Sequence, residues 1–445
     1  MNDQVKKPFP VDWLRQTSPY INTHRGKTFV VWFDGEMLCQ PQFTALIHDL
    51  TLLSHLGIRL VLVHGMRMQI DRQLTLNQIP PDFGPETEKN YPRLRITNSN
   101  ALPSVRNASA EVRCQLESAF STGLPNSPMS GAQITLASGN FIIAKPYGVR
   151  DGIDYQHTGE IRKIRVQKIN ALLGANMVVA LAPIGYSPTG EMFNLLSEDV
   201  ATQAAIALGA DKLIFLHQDT DAIQALGEVR EISASVPLTS SQLHSKSTDA
   251  LASVIERALR ACRNGVNRSH IVDASQDDAL LKELFSRDGS GLLVDSGDYD
   301  NIRSADTNSV AGIAGLIKPL IADGTLLHRS EQELERGIQN FYIIEREGSV
   351  ICCASLNVHN QLAELGCLAV HPDFRDSGKA SDMLNYLIKI ARQHRCRKLF
   401  AFSTRSGDWF QEQGFKPDHI DNLHNVRPIE QSRGSKLYTL DLQYE

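Results

Sequence analysis

From about residue 27 to residue 294 the chain alternates short apolar runs with stretches of helical period, and at 295–300 that rhythm stops. The alternation constrains the fold more than any other feature, because neighbouring parallel strands need a long crossover that is usually a helix. It predicts a doubly wound α/β layer with a largely parallel sheet. The expected strands are Phe29–Phe33, Leu60–Val63, Ile134–Lys145, Met177–Leu181, Lys212–Leu216 and His270–Asp273. Helical stretches such as Pro41–Leu56 and Glu198–Leu208 lie between them, the second with a Ser197–Glu198 start and a Gly209 stop.

The polar, glycine-containing segment "DSGDYD" (295–300) marks a boundary, so residues 1–295 and 300–445 are expected to be separate domains. A chain of 445 residues fits two cores. The second region has another order: a helix near Val310–Ala322, an antiparallel pair at 341–347 and 349–356, a strand at Ala363–Val370, and a long helix after Gly378. This is an α+β module.

A net charge of -5, with 42% hydrophobic and 21% charged residues, gives no basic surface for nucleic acid. The sequence has no apolar stretch long enough to span a bilayer, and "MNDQVKKPFPVDW" lacks a signal-peptide core, so a cytoplasmic protein without membrane partners is expected. The seven cysteines include no C-x-x-C pair, and no metal site is expected. Strand alternation places Cys352 and Cys353 on opposite faces as packing residues.

Two turns bear on function. In "LVLVHGMRMQID" (60–71) an apolar strand runs into His64–Gly65, as a phosphate-binding turn begins, but Met66 and Arg67 stand where glycine would bring bare N–H groups to phosphate. In "LAELGCLAVHPDFRDSGKASDMLNYLIKIARQH" (362–394), Arg375-x-x-Gly378-x-Ala380 sits where a helix begins. Small residues there admit an anion, and free N–H groups with the helix dipole suit a pyrophosphate. Met383, Leu384, Leu387, Ile388 and Ala391 form that helix's apolar face.

The second arrangement resembles the acetyl-CoA loop of the GNAT acetyltransferases. With "LIKPLIADGTLLHRS" (316–330), "LFAFSTRSGDWFQEQGF" (399–415), "QSRGSKLYTLDL" (431–442), "SPYINTHRGKTFVVW" (18–32) and "YGVRDGIDYQHTGEIRKI" (147–164), nearly the whole chain is similar to the bacterial N-acetylglutamate synthases. These are amino-acid N-acetyltransferases of arginine biosynthesis, with an amino-acid-kinase-like domain ahead of the GNAT domain. The resemblance implies acetyl transfer from acetyl-CoA to L-glutamate, with no other cofactor, feedback by L-arginine, and a hexamer built through the kinase-like domains and the N-terminal helix.

Residue by residue, it implies that Leu368 and Val370 present main-chain groups to the pantetheine arm, and that Arg375, Asp376, Ser377, Gly378, Lys379 and Ala380 wrap the pyrophosphate. Glu364 matches the base. Ser403 matches the residue that protonates the thiolate, although it could equally cap the helix near Gly407. Arg329, Arg405, Arg433 and Lys436 are nominated for the substrate carboxylates, since a guanidinium fork matches a carboxylate bidentately. Tyr20, His270, Glu283, Asp288, Gly289 and Gly291 match an arginine site, with Gly291-Leu292 where relatives often have Gly-Thr.

The kinase comparison implies lost chemistry. Working kinases of this type carry Lys-x-Gly-Gly after the first strand, whereas this chain has Trp32-Phe33-Asp34-Gly35. A carboxylate near phosphate is repulsive. An acylamino-acid kinase, a non-catalytic arginine sensor and an acetyltransferase for another amine are the competing readings.

Overall fold

The computed structural model describes residues 10–85, 93–123, 127, 129–218, 231–234, 249–286, 289–295, 302–346, 349–375, 378–419 and 435–442. The chain divides into two compact units, Met1–Gly297 and Asp298–Glu445.

In the first unit the described elements run α1 (Pro10–His24), β1 (Thr28–Phe33), α2 (Phe43–His55), β2 (Arg59–His64), α3 (Arg67–Leu76) and α4 (Leu102–Phe120). Then come β3 (Leu136–Ser138), β4 (Ile142–Pro146), β5 (Val149–Arg150), β6 (Ile153–Asp154), β7 (Gly159–Ile164), α5 (Val166–Gly174), β8 (Val178–Leu181), β9 (Ile184–Tyr186) and β10 (Met192–Asn194). The unit continues with α6 (Ser197–Leu208), β11 (Lys212–His217), β12 (Glu231–Ser233), α7 (Asp249–Arg263), β13 (Arg268–Asp273), α8 (Ala279–Phe285) and β14 (Leu292–Asp295).

Eight of these strands form one sheet in the order β12-β14-β13-β11-β1-β2-β8-β3. All pairs are parallel except β13 with β14. β1 is buried along its whole length, as a strand covered on both faces must be. Its residues alternate: Val30 and Trp32 pack with the core beneath α6 and α7, whereas Phe29, Val31 and Phe33 pack with the core beneath α2, α4 and α8. Gly209 ends α6 in the left-handed region at φ 57°, which relieves the helix terminus without a Cβ clash.

One expectation needs correction. The run 134–145 is not one strand: β3 joins the large sheet, the chain turns at Gly139, and β4 joins a separate sheet of order β10-β9-β4-β7. Period-two apolarity does not record which sheet each half enters. The helix expected over Glu198–Leu208 begins at Ser197, with Leu196 in the cap position. The Ser197 hydroxyl accepts from Trp32 Nε1 at 3.0 Å and donates to Glu198 at 2.8 Å.

In the second unit β15 (Ile302–Ser304), α9 (Val310–Ala322), α10 (Glu331–Arg336), β16 (Phe341–Arg346), β17 (Ser349–His359) and β18 (Leu362–Val370) are followed by α11 (Lys379–Gln393), β19 (Lys398–Ser403), α12 (Gly407–Glu412), β20 (Lys416–Asp418) and β21 (Lys436–Asp441). The sheet order is β15-β16-β17-β18-β19-β21-β20. On one face Met383, Leu384, Leu387 and Ala391 of α11 pack on Cys352, Ala354 and Leu365, and on the other Ile313 and Ile317 of α9 pack on Cys353 and Ala369. The adjacent cysteines thus divide between the faces as alternation requires. Burial pushes the Cys352 thiol up to about 12 and Cys353 well above the ordinary thiol value, so neither supplies a thiolate.

Candidate active site

β18 organises the second unit's site. Its antiparallel register with β17 holds from His359–Leu362 to Ser355–Gly366 and resumes at Cys353–Ala369, leaving Cys367 and Leu368 opposite Ala354 alone. That extra residue is a β-bulge, and Cys367 takes the left-handed φ of 48° to accommodate it. Gly366 and Cys367 consequently face the α9 side in succession, while Leu368 and Val370 turn toward the α11 side. On its other edge β18 pairs with the parallel β19 only from Leu362–Lys398 to Leu365–Ala401. Beyond that point the register ends, which opens the sheet beside Leu368.

The helix α11 begins just past this opening. Gly378 caps it at φ 79°, a conformation in which a side chain is strained, and Lys379 and Ala380 form the first turn. The N-terminal amides of a fifteen-residue helix therefore lie beside a parted strand pair. Arg375 is exposed at the preceding turn. Asp376 and Ser377 lie outside the described residues.

Glu364 is 6% exposed, opposite Asn357 on one side and Phe400 on the other. Alternation puts it on the same face as Gly366. A Cβ added to Gly366 would stand 2.8 Å from Ser355 Oγ and 4.0 Å from Arg329 Nη2, so the Arg329 side chain reaches over the strand two residues from Glu364. Phe341 supports that guanidinium at 5.8 Å. The structure thus brings Glu364 and Arg329 to one face. It also adds Ser355, a buried hydroxyl without a hydrogen-bond partner among the described residues, which carries no sequence signal because it sits in an ordinary alternating run.

Ser403 ends β19 on the side of Leu399 and Ala401, away from Glu364 by alternation. Its oxygen accepts from the N–H groups of Arg405 at 3.3 Å and Ser406 at 2.8 Å, which polarises the hydroxyl toward donation. Ser406, not Ser403, is the N-cap of α12. Lys436 pairs with Ser403 across β19 and β21, whereas the exposed Arg405 reaches Asp323 at 3.4 Å. Arg433 lies outside the described residues.

In the first unit, His270 and Glu283 are joined by a 2.6 Å hydrogen bond. Burial and nearby Lys212 lower the His270 pKa, so the neutral ring donates through Nδ1 to Glu283, while its Nε2 faces Lys212 Nζ at 3.4 Å. Burial opposes the charge on Glu283, but His270 and the N–H groups of Ser290 and Gly291, at 2.6 and 2.8 Å, hold its pKa down to about 2. Gly289, at φ 62°, closes on this carboxylate, and an added Cβ would meet Glu283 Oε2 at 2.6 Å. Tyr20 packs half-buried against the core shared with α8, and His24 donates to the Leu284 carbonyl at 2.9 Å. Asp288 lies outside the described residues.

The β2–α3 turn is filled. Met66 is buried, and a Cβ on Gly65 would stand 2.7 Å from Asp34 Oδ1. Burial, with Glu198 and Glu36 nearby, raises the Asp34 pKa to about 6.

An amino-acid-kinase-type sheet followed by a splayed, bulged acetyltransferase sheet defines a two-domain acyltransferase. Residues 27–273 match the amino acid kinase family and residues 319–415 the acetyltransferase (GNAT) family. An amino-acid acetyltransferase of Ectopseudomonas mendocina (strain ymp) is 43% identical over 434 residues, covering 96% of this chain and 98% of that protein. The crystal structure of N-acetylglutamate synthase from Neisseria gonorrhoeae with coenzyme A and L-arginine is similar over 98% of this chain and 100% of its own, at 33% identity and TM-score 0.75. The same enzyme with coenzyme A and N-acetyl-glutamate matches at 32% identity and TM-score 0.59, again over 98% of this chain and 100% of its own. The chain belongs to the amino-acid acetyltransferase family.

Proposed function

We propose that this chain transfers the acetyl group of acetyl-CoA to the α-amino group of L-glutamate, giving N-acetyl-L-glutamate and coenzyme A, under feedback control by L-arginine. The observation that carries the reading is the parted β18–β19 edge, with Glu364 upstream, the Leu368 bulge at the opening and the α11 N-terminus beyond it. The Neisseria gonorrhoeae relative, crystallised with coenzyme A, with L-arginine and with N-acetyl-glutamate, supports the choice of ligands.

The pyrophosphate lies against the first turn of α11 with Arg375 beside it, and the pantetheine arm takes the place of a strand next to Leu368 and Val370. Glu364 takes a proton from the ammonium group of glutamate, directly or through water. The freed amine attacks the thioester carbon, and the Leu368 N–H stabilises the resulting oxyanion. As the C–S bond breaks, Ser403 gives its proton to the thiolate and regains one, through water, from the acetylated nitrogen, which loses it to become the amide. Arg329 holds a substrate carboxylate, with Arg405, Arg433 and Lys436 as further cations. Arginine acts on the first unit around Tyr20, His270, Glu283, Gly289 and Gly291, with Asp288 in the adjoining segment. The assembly is a hexamer.

The test is mass spectrometry of the products formed from acetyl-CoA and each of the twenty amino acids, repeated with arginine. N-acetyl-glutamate as the dominant product, reduced by arginine, is expected. A different acetylated amine removes the substrate assignment, and no product removes the enzyme.

A further inference from the structure

Among the described residues of the second unit, Ser355 is the one side chain whose buried polar atom has no hydrogen-bond partner. It is 1% exposed, and a hydroxyl shut away from water is costly to leave unsatisfied, so its place in the sheet calls for a reason. Ser355 sits opposite Gly366 of β18 on one side and opposite Phe341 of β16 on the other. It therefore shares the face that carries Glu364, and Arg329 lies over the ring of Phe341 beside it. Gly366 keeps part of its surface exposed. Apart from the chain neighbours of Gly366, only two described atoms come within 4 Å of the place a Cβ would occupy there: Ser355 Oγ at 2.8 Å and Arg329 Nη2 at 4.0 Å. The absent methyl leaves a notch with a hydroxyl on one side and a guanidinium on the other.

Arg329 has donors only, so it cannot receive the hydroxyl proton. What enters the notch must bring the acceptor. A carboxylate oxygen serves both groups at once, and a hydrogen bond to a charged acceptor is the stronger kind. We propose that Ser355 is a specificity-determining residue of the acceptor site, whose hydroxyl donates to the substrate carboxylate that Arg329 holds. Gly366 is then glycine because a methyl group would stand in the carboxylate's path. The inference rests on the acetyl-transfer reading of this face and adds to it a neutral donor that selects acidic acceptors.

The test is made on the full chain with Ser355→Ala. Coenzyme A release should show the KM for L-glutamate raised about 10- to 100-fold, with kcat and the KM for acetyl-CoA within about twofold of the parent. Calorimetry with coenzyme A present should show N-acetyl-L-glutamate bound more weakly by a similar factor. The thermal midpoint of the ligand-free variant should not fall, since the change removes an unsatisfied buried group. Gly366 has an ordinary backbone conformation, so Ser355→Ala/Gly366→Ala fills the notch without strain or a hydroxyl for the new methyl to meet, and it should raise the glutamate KM at least as far. If the serine only packs against the glycine, both variants keep the parent KM, and the assignment is overturned. A fall in kcat with KM unchanged also overturns it. A parent enzyme that makes no N-acetyl-glutamate removes the acetyl-transfer reading first and this inference with it, a failure distinct from an active parent whose KM ignores Ser355.

Discussion

The β2–α3 turn of the first unit and the β18–α11 turn of the second are both strand–turn–helix junctions of the kind that holds phosphate. At the first, Met66 is buried in the turn, and Asp34, crowded by Glu198 and Glu36, stands against Gly65. At the second, Gly378 opens the turn, Arg375 stands exposed before it, and the neighbouring strand has parted. Helix geometry alone therefore does not make a phosphate site. Charge and free space at the turn decide what the same junction binds.

The largest expected effect lies on the open side. Glu364→Gln should lower kcat/KM about 10²–10⁴-fold while acetyl-CoA still binds. A variant with unchanged turnover would remove Glu364 as the base. Next is the carboxylate that the first unit holds ionised: Glu283→Ala takes away the acceptor of His270, Ser290 and Gly291 and should cost about 3–5 kcal/mol in denaturant unfolding. Because the folded pKa of Glu283 is depressed, its contribution is present at neutral pH and is lost as pH falls from about 4.5 toward 2.

Asp34 has the opposite sign. Its folded pKa is raised, so ionisation destabilises the fold as pH rises from about 4 through 6. Asp34→Asn should therefore stabilise the protein by about 1–3 kcal/mol at pH 7 and by almost nothing at pH 4. A loss of stability at pH 7 would mean that the ionised carboxylate is a favourable partner there. Smallest is Arg375→Ala, expected to raise the KM for acetyl-CoA about tenfold, roughly 1.4 kcal/mol, with kcat preserved. A fall in kcat alone would place Arg375 in the chemistry rather than in binding.

Much of this contrast was legible in the sequence. Phe29–Phe33 and Leu60–Val63 read as buried parallel strands because both faces are covered, and Gly378 followed by a periodic apolar face marked α11. Asp34, where the kinase pattern has a glycine, already put a carboxylate at the β1–α2 turn. The bulge at Cys367 was not legible, since it exists only in the register between β17 and β18, which no single strand encodes. Nor was the division of 134–145 between two sheets. Glu364 and Arg329 lie 35 positions apart, and only folding the α10 approach over β18 puts them on one face.

The most direct measurement gives the full chain two assays in parallel: coenzyme A thiol release from acetyl-CoA with L-glutamate, and ADP release from ATP with N-acetyl-L-glutamate. The account predicts sustained thiol release and no ADP above the enzyme-free background. ADP release, or the absence of thiol release, would contradict it.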